Sequence, residues 1–170
     1  MKRLTLVRHA NAEWKNPKSS DFDRSLSRRG QVEAEALARH LLERRLLPDL
    51  MMASSALRAK QTSEILARQL ELPGNTLKFE EQLYLAEPEE ILRTIKSVGP
   101  KVQHLTIVGH NPGISDCARL LAPEASLPEF PTAAACTMTF AARTWREVTP
   151  GSAADAHMET RPPRLFGLWA

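Results

Sequence analysis

The chain has 170 residues, 42% hydrophobic and 25% charged, a length and apolar content suited to one domain with its own core. A formal charge of +3 is spread along the sequence and aromatics make up only 5%, so no nucleic-acid surface is indicated, and no apolar run approaches the roughly 18 residues of a membrane span. Cys117 and Cys136 form no CxxC pair and read as buried free thiols, and the N-terminal stretch lacks a secretory pattern, which makes the cytoplasm the expected compartment.

Residues 3–8, RLTLVR, read as a first strand ending at His9, followed by a polar loop through Arg24. Ser27 is placed to cap a long helix, in which Val32, Ala34, Leu37, Ala38, Leu41 and Leu42 recur at helical spacing before Pro48. DLMMA, residues 49–53, reads as a second strand. Ser54 or Ser55 is the expected cap of the next helix, running to about Leu70 with Leu57, Ile65, Leu66 and Leu70 on its apolar face. A short strand at 76–79 precedes a helix that Pro88 opens, with Ile91, Leu92 and Ile95 inward and Gly99-Pro100 at its end. HLTIVGH, residues 104–110, is the clearest buried strand, and Pro112 suits the first turn of a helix through Leu121. After PEASLPEFP, the runs ACTMTFAA and TWREVT read as a hairpin, with 154–160 as a final strand. This alternation predicts an α/β three-layer sandwich, a mostly parallel central sheet with helices on both faces, in a single domain spanning 1–170.

In open α/β sheets ligands sit beyond the carboxyl ends of the strands, so residues at strand exits carry the most information. The first exit here ends in Arg8-His9. The second leads through Ser54-Ser55 to Arg58 in the opening turn of its helix, and the third ends in Gly109-His110 before another helix N-terminus. Arginine forks and helix N-termini both suit phosphate oxygens, so a phosphoryl group is the implied ligand. The dipeptide alone says little, since Arg39-His40 repeats it inside a helix. Its place at a strand exit is what distinguishes Arg8-His9.

With these residues in view, the sequence resembles the histidine phosphatase superfamily, also called phosphoglycerate mutase-like. The family's Arg-His-Gly is present as Arg8-His9-Ala10. Its S-x-L-x-R-A-x-Q-T block is resembled by Ser54-Ser55-Ala56-Leu57-Arg58-Ala59-Lys60-Gln61-Thr62, with Ala56 at the leucine position, its L-[ST]-x-x-G element by Leu26-Ser27-Arg28-Arg29-Gly30, and its strand ending in Gly-His by LTIVGHNPG. Small size and the GHNPG form are most similar to the compact SixA-type branch, the phosphohistidine phosphatases. The resemblance implies His9 as nucleophile and Arg8, Arg58 and His110 as holders of the transferred phosphoryl oxygens, with no metal or cofactor. It further implies a phosphorylated protein or a small phosphate compound as partner, and a monomer or weak dimer.

Two departures stand out. Ala10 replaces the usual glycine beside the nucleophile, narrowing the backbone conformations open to it. Larger relatives carry a general-acid Glu in an L-x-E element, whereas Leu83-Tyr84-Leu85 offers no carboxylate there. An alcohol leaving group needs a proton donor, while a phosphoramidate with a protonated imidazole departs as a neutral ring. The departure therefore favours phosphohistidine over phosphate esters, with Glu87 as the spare acid candidate. Asn11, Trp14 and Thr132 are further candidates for lining the substrate pocket. A small-molecule phosphomonoesterase or mutase is the alternative enzyme, and a phosphate-binding regulatory module without turnover is the alternative of another class.

Overall fold

Strand side chains alternate between two faces, and that alternation decides which helices cover which side. The computed structural model describes residues 1–14 and 17–159. Its strands are β1 (Lys2–Arg8), β2 (Leu50–Ser54), β3 (Leu77–Glu80), β4 (His104–Gly109), β5 (Ala135–Phe140) and β6 (Ala153–Met158). Its helices are α1 (Arg28–Glu43), α2 (Leu57–Gln69), α3 (Pro88–Lys96) and α4 (Gly113–Leu121). The sheet order is β3-β2-β4-β1-β5-β6. The first four strands run parallel, and β5 and β6 are antiparallel to their neighbours.

Val7, Met51, Ala53 and Val108 face α1 and α2, meeting Leu37, Ala38, Leu41 and Leu66. Leu4, Leu6, Met52, Leu105 and Ile107 face the opposite side, against Ile91, Ile95, Ile114 and Leu121 of α3 and α4. This is the three-layer α/β arrangement that the alternating pattern predicts. No helix of the described residues is long and apolar enough to cross a membrane. Cys117 and Cys136 are both free and buried.

Three local readings differ from expectation. In α1, Val32 and Leu42 are about half exposed. Val32 lies roughly 160° around the helix from Ala34, off the stripe that Ala34, Leu37, Ala38 and Leu41 form. The segment TWREVT is not a strand. Residues Trp145–Glu147 form a short turn of 3-10 helix in which the Glu147 carboxylate accepts from the N–H groups of Arg143 and Thr144. Thr144 and Glu147 are spaced as a capping pair, and Trp145 is fully buried with its indole N–H on the Val102 carbonyl. The hairpin partner of β5 is therefore β6, whose expected extension to residue 160 lies outside the described residues. Finally, Ala56 rather than Ser54 or Ser55 is the residue flanking α2, with Ser54 still in β2 and no side chain capping that helix end.

Candidate active site

Parallel register sets the site. Arg8 pairs with Gly109 across β1 and β4, and Ala53 with Val108 across β2 and β4. His9, His110 and Ser54 therefore leave the sheet side by side at its carboxyl end. The two imidazole rings lie 5.1 Å apart between centroids, and both residues are buried. Arg58, in the opening turn of α2, is equally buried, and its Nε–H donates to His9 Nε2 at 3.3 Å.

His9 Nδ1 lies 2.8 Å from the Ala10 carbonyl, which can only accept, so the proton sits on Nδ1 and the lone pair on Nε2. Burial, reinforced by the charges of Arg58, Arg8 and Arg24 and opposed by the Ala10 hydrogen bond, pushes His9 down to about 4. His110 falls to about 3, through burial first, then His9 and Arg58, with Asp21 opposing. Both rings are thus neutral at physiological pH. Nε2 of His110 meets the Ser54 hydroxyl at 2.7 Å, and its buried Nδ1 has no hydrogen-bond partner among the described residues. A ring with one nitrogen held and the other free presents that free nitrogen to whatever occupies the site.

The motif residues hold this centre in place. Ala10 is buried outside the left-handed region, so the absent glycine costs no strain, and its N–H donates to the Thr62 hydroxyl. Gln61 accepts from the Leu26 N–H, tying α2 to the start of α1. Ser27 caps α1 through the Gly30 N–H and donates to the Asn11 side chain at 2.6 Å. A Cβ on Gly30 would meet the Asn11 carbonyl oxygen at 1.9 Å, which is why that position takes glycine. Glu33, also buried, accepts from the Asn11 N–H. On the other side, the Phe130 carbonyl accepts from both Arg8 Nη1 and Asn111 Nδ2, and Ser115 bridges Asn111 to the Phe130 N–H. Arg8 Nε is buried without a hydrogen-bond partner among the described residues.

The remaining candidates are dispersed. The Asn11 side chain is occupied by Ser27. Trp14 is 88% exposed, with the Arg24 guanidinium 5.9 Å from its ring. Glu87 is exposed at the start of α3, where its N–H donates to Glu90, and no hydrogen bond or ion pair joins it to either site histidine among the described residues. Thr132 sits in the turn before β5, beside Ala133 in the left-handed region. Three residues join the centre that the sequence does not mark as site residues: Ser54, which belongs to a motif block but reads as a helix cap, lies on His110, and Asp21 and Tyr84 surround Arg58. No cluster of three or more His, Cys, Asp or Glu able to hold a metal ion occurs among the described residues.

Comparison with known proteins places this geometry. The model of the histidine phosphatase superfamily, branch 1, matches residues 4–83. A structure from Agrobacterium tumefaciens assigned as phosphohistidine phosphatase SixA is 33% identical, with a TM-score of 0.74 over 81% of this chain and 91% of that one. The protein histidine phosphatase SixA complexed with tungstate is 20% identical and shares the fold, with a TM-score of 0.77 over 92% of this chain and 97% of that one. An uncharacterized protein of Mycobacterium tuberculosis is 32% identical over 157 residues, 87% of this chain and 95% of the relative.

Proposed function

The chain belongs to the histidine phosphatase superfamily, branch 1, and to its SixA-type group, and from that premise we propose that it hydrolyses phosphohistidine in protein through a covalent phosphohistidine on its own His9. The observation that carries this reading is the His9 ring itself, with Nδ1–H held by Ala10 and the Nε2 lone pair facing Arg58 Nε at 3.3 Å. In the first step Nε2 attacks phosphorus and the P–N bond to the substrate ring breaks. The proton stays on Nδ1, donated to the Ala10 carbonyl, so phosphorylated His9 is a cationic ring and a good leaving group. In the second step water attacks phosphorus, the electron pair of the P–Nε2 bond returns to Nε2, and both water protons leave on dihydrogen phosphate.

Arg8, Arg58 and His110 hold the equatorial oxygens, where charge is spread in the loose transition state, and no metal is needed for that task. The Ser54 hydroxyl already accepts from the Ala56 N–H. Donating its own proton to His110 Nε2 leaves Nδ1–H of His110 as the free donor toward the phosphoryl group. The substrate class rests on the leaving group. Leu83-Tyr84-Leu85 carries no carboxylic acid and Glu87 caps a helix at the surface, so a leaving group that departs without a protein acid suits the site. The whole chain is read as one such domain, acting in the cytoplasm. The test is paired turnover of phosphohistidine and a simple phosphate ester, by wild type and His9→Ala in one assay. Fast, His9-dependent release from phosphohistidine with slow ester hydrolysis is expected. Comparable ester hydrolysis overturns the substrate class, and release that survives His9→Ala overturns the nucleophile.

A further inference from the structure

Arg58 is bonded on three sides, and two of those bonds go to one loop residue that no motif includes. Its Nη1 donates to the Asp21 carbonyl oxygen at 2.6 Å and its Nη2 to the Asp21 carboxylate at 3.0 Å, which leaves Nε as the edge turned to His9. Asp21 is itself held. It opens a turn of 3-10 helix, Asp21–Asp23, capped by Ser20, and its second carboxylate oxygen accepts from Arg24 at 3.0 Å. The oxygen that meets Arg58 also accepts from the Tyr84 hydroxyl at 2.6 Å. Tyr84 comes from the far side of the site, beyond β3. Its ring stands edge-on to Phe22 at 4.9 Å and to His110 at 5.5 Å.

We propose that Asp21, backed by the Tyr84 hydroxyl, is a positioning residue that holds the Arg58 guanidinium by both Nη groups so that its Nε edge meets the transferred phosphoryl group. This rests on the phosphatase reading of the site and adds to it a residue acting through Arg58. A guanidinium on a flexible stem has several donor edges, and fixing two of them removes the rotational freedom that binding an oxyanion would otherwise have to quench. Asp21 is not the missing general acid. The Tyr84 hydrogen bond first, then the Arg58 charge and the Arg24 and Arg58 hydrogen bonds, hold its carboxyl at about 2 against the opposing effect of burial, so it carries no proton to give at neutral pH.

Positioning and simple charge balance predict opposite signs in a double-mutant cycle. If Asp21 orients Arg58, Arg58→Ala costs more when Asp21 is present. If the carboxylate only neutralises the guanidinium, Arg58→Ala costs more once Asp21 is gone. The cycle uses wild type, Asp21→Ala, Arg58→Ala and the double variant of the full chain, with inorganic phosphate affinity by calorimetry and kcat/KM on phosphohistidine as readouts. The expected result is an Arg58→Ala effect about tenfold larger in the presence of Asp21, in both readouts. Asp21→Asn keeps the oxygen acceptors for Arg58 and Tyr84 and is expected to recover most of the loss. An Arg58→Ala effect that is equal or larger in the Asp21→Ala background overturns the proposal. Should Asp21→Ala lower the thermal midpoint below the assay temperature, the same cycle with Tyr84→Phe decides, with a coupling of about two- to threefold of the same sign expected and none or the reverse contradicting it. Phosphate affinity requires no turnover. Coupling in phosphate binding without phosphohistidine release refutes the proposed reaction alone, whereas release without coupling refutes the role of Asp21 alone.

Discussion

At the amino end of β4, His104 is buried with both ring nitrogens engaged: Nδ1–H donates to the Leu47 carbonyl at 3.0 Å, and Nε2 accepts from the Thr5 hydroxyl at 2.8 Å. Thr5 in turn meets the Thr137 hydroxyl at 3.1 Å. At the carboxyl end of the same strand, His110 is buried with only Nε2 engaged among the described residues, and beside it His9 Nε2 accepts from the Arg58 guanidinium. Burial lowers the pKa of all three rings to similar values, about 4 for His104 and His9 and about 3 for His110. A depressed histidine pKa therefore does not separate a site from a core. The partners do: both nitrogens of His104 are held by neutral groups that stitch strands together, whereas His9 Nε2 accepts only from the Arg58 guanidinium at 3.3 Å and His110 Nδ1 has no partner among the described residues, so the first ring is closed and the other two are open to a phosphoryl group.

Breaking the open end should cost most. His9→Ala is expected to reduce phosphohistidine release to background, measured by phosphate production, while phosphate binding survives in part. Arg58→Ala follows, with a loss of at least ~10²-fold in kcat, because a preorganised donor aimed at transition-state charge contributes about that much. Breaking the closed end should do the reverse. His104→Leu leaves the Thr5 hydroxyl and the Leu47 carbonyl without their partner, and a destabilisation of about 1–3 kcal/mol with kcat unchanged is expected by denaturant titration and turnover together. A large loss of kcat at unchanged stability would erase the contrast between the two ends.

The same histidines fix a pH dependence of stability. Each folded ring titrates below histidine's ordinary 6.5, so between pH 6.5 and about 4 the unfolded chain binds more protons than the folded one. Their contribution is complete above pH 6.5 and is lost as pH falls toward 4 for His9 and His104 and toward 3 for His110, and the thermal midpoint should drop across that window. His104→Leu should make the slope shallower. The smallest effect belongs to Glu87→Gln, at the surface of the α3 start, where phosphohistidine turnover is expected to stay within about twofold of wild type.

What the sequence made legible follows from how each residue is used. Arg8, His9, Arg58 and His110 stand at strand exits or helix starts, where periodic apolar runs give way to polar residues, so pattern alone locates them. Asp21 and Tyr84 lie in connecting segments and meet Arg58 only through the fold, with no spacing to signal it. The Phe130 carbonyl that holds Arg8 is a backbone group, invisible to any reading of side-chain types. Ser54 shows the competition between uses, since a serine before a helix suits a cap but here binds a histidine ring. In TWREVT the β-like composition is overridden by a local Thr144–Glu147 hydrogen bond and by burial of Trp145.

Trapping the intermediate decides whether His9 is the group that becomes phosphorylated. Wild-type protein would be mixed with phosphohistidine substrate carrying labelled phosphate, quenched in alkali within the first turnover, and mapped by peptide. An acid-labile, alkali-stable label on His9, absent from His9→Ala, is expected. Turnover with the label on His110, or with no protein-bound phosphate at all, would contradict it.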